Sequence, residues 1–127
     1  MSEVGRLSVY FQVADEVLWN PSNSVATVFL GQAAVLSRFV GLGSGLGDIV
    51  EDECQVDPRE FVAFTNELVK TYQETNNMAP MALLKGFASV ALVLADRIGA
   101  EGVSMDPEYA GMWRAERERQ ARSMPRG

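Results

Sequence analysis

The sequence MALLKGFASVALVLADRI, residues 81–98, decides the fold. Its large apolar residues recur at spacings of three and four and fill many positions between, so they cover most of a helix's circumference. A helix that is apolar almost all round is enclosed by other elements, and we predict that this is the third and central helix of the domain. Its longest strongly apolar stretch, residues 86–95, is about half the length of a bilayer crossing, so we expect no membrane partner.

Three further helices are predicted around this segment. Ser22 or Ser24 can cap a first helix over residues 25–40, whose apolar residues form an almost continuous stripe. The residues Asp57-Pro58-Arg59-Glu60 begin a second helix, with Asp57 as the N-cap and Pro58 in the first helical position. A last helix, polar on most faces, is predicted from Pro107 to about Arg122.

The N-terminal part has the period of β-structure. Side chains alternate between apolar and polar over residues 7–13, and a second extended run covers residues 16–19, so the two are predicted to form a hairpin. The glycine-rich residues 41–47 are interpreted as a flexible loop. The predicted fold is α+β: an N-terminal β-hairpin followed by about four helices, mostly helical. We expect one domain over residues 1–122 and a disordered C-terminal tail over residues 123–127.

The composition excludes several kinds of chemistry. The 127 residues include no histidine and one cysteine, which rules out a Ser/His/Asp triad, a Cys/His pair and histidine metal ligation. Cys54 has no intramolecular disulfide partner and cannot build a cysteine zinc site alone. We therefore assign no catalytic residue, metal or cofactor. A single cysteine, which cannot form an intramolecular disulfide, indicates a reduced compartment. Together with the lack of a secretory signal at the start, it predicts a cytoplasmic location.

The net charge of −6 is unevenly distributed. Five arginines and two glutamates give residues 112–127 a charge of +3, so the remaining 111 residues carry −9. Because such an acidic body repels phosphates, we expect no nucleic-acid partner. We expect instead that the basic segment docks on an acidic patch, either in the same chain or in a dimer mate.

A run of carboxylates follows the glycine-rich loop and is the leading candidate site. It lacks the alternating oxygen ligands, central glycine and terminal glutamate of a calcium-binding EF-hand loop, so a metal site is not predicted. We interpret it as a solvated acidic surface that can face a protein partner with a basic surface. The candidate partner-binding residues are Asp48, Glu51, Asp52, Glu53 and Asp57.

A small pocket is the second candidate site. Trp19 at a strand-to-helix junction is more often a core residue, but with Tyr10, Asn20 and Tyr72 it could line a cavity for a small molecule. An enzyme built on this pocket would need a buried carboxylate as its general acid or base. The candidates for that role are Asp15, Glu16 and Asp96.

Four short motifs, in this order, resemble a family of small uncharacterised actinobacterial proteins. They are YFQV at residues 10–13, VLWNPS at 17–22, DECQVD at 52–57 and ALVL at 91–94, so the resemblance spans about residues 10–98. It implies a single-domain cytoplasmic protein of unassigned function and supplies no catalytic residues.

These observations together favour a non-catalytic protein-interaction module. We expect a homodimer whose acidic segment masks a basic partner, in an immunity-like or adaptor role. Two alternatives stay open. One is a small-molecule-binding protein or small enzyme that uses a buried carboxylate, and the other is a structural subunit of a homo-oligomer.

Overall fold

The computed structural model describes residues 8–99 and 103–127, and within them the chain forms four strands and four helices. In chain order these are β1 (Tyr10–Val13), β2 (Glu16–Trp19), α1 (Asn23–Val40), β3 (Leu46–Val50), β4 (Glu53–Val56), α2 (Pro58–Glu74), α3 (Met78–Ile98) and α4 (Pro107–Ala121). The α+β prediction, with an N-terminal hairpin and four helices, is confirmed. The first seven residues of the predicted domain, including the expected strand start at Leu7, lie outside the described residues.

The four strands form one mixed sheet in the order β2-β1-β4-β3. Two antiparallel hairpins, β1–β2 and β3–β4, are joined by parallel pairing of β1 with β4, in which Phe11 lies opposite Cys54. Side chains alternate across the sheet, so that Phe11, Cys54 and Val56 are buried while Glu53 and Gln55 are exposed. The buried face is covered by the helices.

The second hairpin corrects the sequence interpretation of residues 41–54 as loop and acidic run. Residues 46–50 and 53–56 are strands, and the turn between them is made by Glu51 and Asp52, both with positive φ. Glycine and acidic residues have low strand propensity, so the local sequence does not predict these strands. Pairing with β1 and the burial of Cys54 and Val56 stabilise β4, and pairing with β4 stabilises β3.

The glycine-rich segment before β3 is also more ordered than predicted. Gly45 has a φ of +78°, and its carbonyl oxygen accepts a 2.8 Å hydrogen bond from the Asp57 backbone. A Cβ at this position would lie 2.8 Å from the backbone nitrogen of Phe61. The segment is therefore held tightly against the start of α2, because only glycine allows this approach.

The core is centred on α3, as predicted, and is rich in aromatic rings. Phe29 of α1 stacks on Phe87 of α3 and meets Trp19 edge to face, while Trp19 stacks on Phe11. By length and composition alone α3 could cross a membrane, but half of its most apolar window is buried inside the fold. That burial is the ordinary property of a central helix.

The C-terminal residues correct the prediction of a disordered tail over residues 123–127. Met124 is buried, and the Pro125 carbonyl accepts a 2.7 Å hydrogen bond from the Asn20 backbone. The Arg97 guanidinium donates to the carbonyl oxygens of Leu18 and Met124, each at 2.7 Å. These contacts place the last residues beside the end of β2, where they form part of the fold.

Candidate functional site

Two apolar strips run along α1, and only one of them faces the core. The first contains the buried residues Ala26, Phe29 and Ala33. The second lies one residue earlier in the chain, about 100° around the helix, and points away from the core. We call it the α1 seam, and its members are Val25, Val28, Gln32, Val35 and Phe39.

The α1 seam is largely exposed. The exposed fractions are 48% for Val25, 59% for Val28, 56% for Val35 and 63% for Phe39. The apolar stripe that the sequence predicts for the first helix therefore includes these four exposed residues. Single exposed apolar residues are ordinary, whereas a row of them on one helix face marks a contact surface.

A groove between α1 and α3 lies beside the seam. The groove consists of two adjoining hollows. The first, of about 470 Å³, is lined by residues that include Val25, Phe87, Val90 and Met124. The second, of about 420 Å³, is lined by residues that include Val35 and Leu83. Val28 and Gln32 line both hollows. Leu83 is 77% exposed, so α3 adds an uncovered apolar side chain to the opposite wall.

The described residues that line the groove carry no charge. None of them is acidic or basic, and Arg38 is the one charged residue in α1. In a chain with a net charge of −6, a surface of this kind matches another apolar protein surface better than a charged ligand.

The acidic residues predicted to bind a partner lie on and around the second hairpin. Asp48 is on the edge strand β3, Glu51 and Asp52 form the turn, and Glu53 begins β4. Asp57 has a structural task, because its side chain accepts a 3.0 Å hydrogen bond from the Glu60 backbone and caps α2. All except Asp52 are exposed, and none of the five lines the groove.

The residues of the predicted pocket are not brought together as one lining. Trp19 is buried against Phe11 and Phe29, while Tyr72 meets Tyr109 and Trp113 in a separate aromatic cluster.

The other two members of the predicted pocket lie elsewhere. Tyr10 is exposed, and the Asn20 side chain donates a 3.0 Å hydrogen bond to the Val9 carbonyl oxygen. Trp19 alone of the four contributes to the groove, at the end of its larger hollow.

The carboxylates proposed for acid–base chemistry are exposed. Asp15 lies in the β1–β2 turn, Glu16 is 3.9 Å from Arg126, and Asp96 is 3.4 Å from Arg117. Partial burial raises the pKa of Asp96, and the Arg117 charge lowers it in part. In the described part of the chain the buried polar side chains are Gln12, Thr65 and Ser89, none of which is a carboxylate.

The ion pairs also locate the basic C-terminal segment. Arg117 meets Asp96 and Arg126 meets Glu16, so this segment docks within its own chain. It does not use the predicted acidic run for these pairs. Among residues 8–99 and 103–127, no three side chains of metal-ligating type come together as a site.

Cys54 is a buried structural residue. Its thiol donates to the Gly47 carbonyl oxygen at 3.2 Å. Burial raises the pKa of this thiol to about 11, and the Asp48 charge raises it as well. A thiol with this pKa stays protonated at neutral pH and is a poor nucleophile.

The α1 seam was not predicted as a site from the sequence, although a signal was present. The apolar residues of the first helix occupy more of its circumference than one contact face requires. Periodicity reports which face is apolar, but not which element covers it. Two adjacent strips on one helix indicate two separate contacts.

Comparison with known proteins gives a family without an assigned activity. Neither the curated proteins nor the solved structures contain a match to the chain. Residues 7–126 match the model described as a family of unknown function, DUF6086. This match covers nearly the whole chain, including the C-terminal segment that packs beside β2, and the chain belongs to the DUF6086 family of unknown function.

Proposed function

We propose that this chain is a non-catalytic protein-interaction module whose docking surface is the α1 seam with the adjoining groove. The observation that carries the proposal is the 3-4-3-4 spacing of five outward-facing residues beside an uncharged groove. This spacing is the one with which helices pack against each other, so the partner surface that fits is an apolar helix.

Site-specific photo-crosslinking tests the proposal. A benzoylphenylalanine placed at Val28, in cells that naturally make the chain, should form a covalent adduct with a protein that contacts the seam. The same probe at Glu108, on the exposed start of α4, serves as the control. Support requires an adduct at Val28 that Val35→Glu abolishes and that is missing at Glu108. A folded chain without an adduct at either Val28 or Val35 would refute the proposal.

A basic partner for the acidic hairpin remains a second prediction. Asp48, Glu51 and Glu53 are exposed and could face such a partner, in an immunity-like or adaptor role. Reversal of Glu51, Asp52 and Glu53 to lysine should then abolish recovery of the natural partner. If Val35→Glu abolishes that recovery and the triple reversal does not, the seam is the binding surface and the acidic hairpin is only a solvated surface.

A small-molecule function has one observation in its favour, which is the volume of the larger hollow. About 470 Å³ lies within the range of ligand sites, and its lining is mainly apolar. The hollow is open along α1, however, and offers few polar groups to orient a ligand. Reproducible stabilisation by a metabolite in a thermal-shift screen, lost on Val28→Glu, would favour this alternative.

The remaining expectations concern the location of the chain in the cell and the organisms that make it. A cytoplasmic location is supported by the single buried thiol, because a reduced compartment preserves it. An actinobacterial source rests on the sequence resemblance alone. Cell fractionation would test the location.

A further inference from the structure

We propose that the helix which fills the groove is α1 of a second copy of this chain, paired antiparallel across the α1 seam. This inference rests on the proposed function and names its partner. It also gives the structural, homo-oligomeric alternative a specific interface.

The order of residues along the seam is the first reason. From either end the seam reads two apolar residues, then Gln32, then two apolar residues. An antiparallel copy centred on Gln32 therefore places apolar side chains near apolar side chains and brings the two glutamines together. A two-fold interface requires this kind of self-complementarity. A polar residue in the middle of an apolar seam fixes the register of paired helices.

The distribution of charge is the second reason. Two identical acidic chains repel each other wherever carboxylates meet, but the described residues that line the groove are all uncharged. A basic partner would find no carboxylate in the groove to pair with. The groove is thus a surface on which two such chains can approach without bringing their charges together.

Arg38 favours antiparallel over parallel pairing. It is the one charged residue of α1 and lies near its C-terminal end. Parallel pairing would bring two Arg38 side chains side by side. Antiparallel pairing about Gln32 separates them by 12 residues of helix, or about 18 Å, at a rise of about 1.5 Å per residue. The antiparallel arrangement also opposes the two helix dipoles.

The opposite wall completes the interface. The cavity linings show that α1 and α3 run in opposite directions, with Val25 near Val90 and Val35 near Leu83. A second α1 laid along the seam would also cover the exposed Leu83 side chain. The two copies would then contribute α1 and α3 each to a four-helix layer.

Sedimentation equilibrium with matched variants tests the proposal. The wild-type chain should have twice the 13.9 kDa mass of one copy at micromolar concentration. Val28→Glu/Val35→Glu should reduce this to one copy. The control, Thr27→Glu/Ala34→Glu, adds the same charges at the same spacing one residue earlier, on exposed positions outside the seam, and should stay dimeric. If the seam variant does not fold, Gln32→Lys replaces it, because Gln32 is already exposed.

Disulfide trapping tests the direction of the helices. When Val25→Cys and Phe39→Cys chains are mixed under mild oxidation, antiparallel pairing predicts a cross-link between the two different chains. Parallel pairing predicts cross-links only between identical chains and would overturn the stated arrangement.

Gln32→Leu tests the role of the central glutamine, because it removes the polar pair from the centre of the interface. If Gln32 sets the register at a cost in stability, this variant should associate at least about tenfold more tightly than the wild type.

The outcomes separate this inference from the proposed function. A wild-type chain with the mass of one copy, or a dimer that the seam variant leaves intact, overturns the homodimer. If the photo-crosslink at Val28 then joins a different protein, the docking surface stands and only its occupant was wrong. No adduct at the seam refutes both.

Discussion

A single side chain of α3, Arg97, holds the C-terminal segment through Met124. The Arg97 guanidinium donates a 2.7 Å hydrogen bond to the Met124 carbonyl oxygen, 27 residues away in the chain. The same group donates to Leu18 at 2.7 Å and to Ala121 at 3.4 Å. It therefore ties the end of α4 and the last residues to the edge strand β2.

Arg97→Met should loosen this end of the molecule. Methionine keeps the apolar stem but removes every donor, and hydrogen bonds to a charged group contribute about 1.5–3 kcal/mol. We expect a loss of about 2 kcal/mol in the free energy of unfolding by urea, with faster tryptic cleavage after Arg122. Arg117→Met is the control, since its ion pair with the exposed Asp96 should contribute less than about 1 kcal/mol. Equal losses for the two variants would contradict the anchor.

Gly45→Ala should destabilise the fold far more than Gly41→Ala. Both glycines have positive φ, so both changes pay for the left-handed conformation, about 1–2 kcal/mol. A Cβ on Gly41 meets nothing within 4 Å, whereas one on Gly45 would lie 2.9 Å from the Asp57 carbonyl oxygen. We expect Gly45→Ala to cost at least about 2 kcal/mol more in urea denaturation. Similar midpoints would mean that the loop is free to move.

Stability should fall at alkaline pH because of Cys54. Its pKa rises from an ordinary 9.0 to about 11 in the folded chain. The unfolded chain therefore loses the thiol proton at lower pH than the folded chain does. The contribution of the neutral thiol to stability is complete below pH 9 and is lost as the pH rises to about 11, by roughly 1.4 kcal/mol per pH unit.

Cys54→Ala separates this effect from other alkaline titrations. Between pH 9 and 11 the free energy of unfolding of this variant should fall less steeply with pH than that of the wild type. Removal of a buried side chain lowers the free energy of unfolding of the variant at every pH. At pH 8, alkylation of the wild-type thiol should be at least about 100-fold slower than that of an ordinary thiol, because two pKa units reduce the thiolate fraction by that factor. Rapid alkylation would show that the thiol is neither buried nor perturbed.

Local rules predicted much of the fold. Alternation identified β1, and a second extended run identified β2. Asp57 and Pro58 marked the start of α2, and Gly99 ends α3 with a φ of +81°. Each of these signals lies within the element it defines or directly beside it. The second hairpin has no such signal, because β4 is held by pairing with β1 through contacts such as that of Ala14 with Gln55.

The C-terminal segment and the seam were missed for related reasons. Nothing in residues 123–127 predicts order, since their anchors are Arg97 and Asn20 in distant parts of the chain. The residues of the seam were recognised as part of an apolar stripe, but the stripe was not divided between core and surface. The sequence pattern does not tell which apolar strip of α1 meets α3 and the sheet.

The parallel pairing of β1 with β4 also has a consequence for how the chain folds. Each hairpin closes a turn of two residues and can form locally. The sheet becomes whole only when Ala14 meets Gln55, 41 residues away, after α1 has been placed between them. Closing such a long loop is entropically costly, so the joining of two fast-forming halves, rather than the formation of any one element, should set the rate of folding.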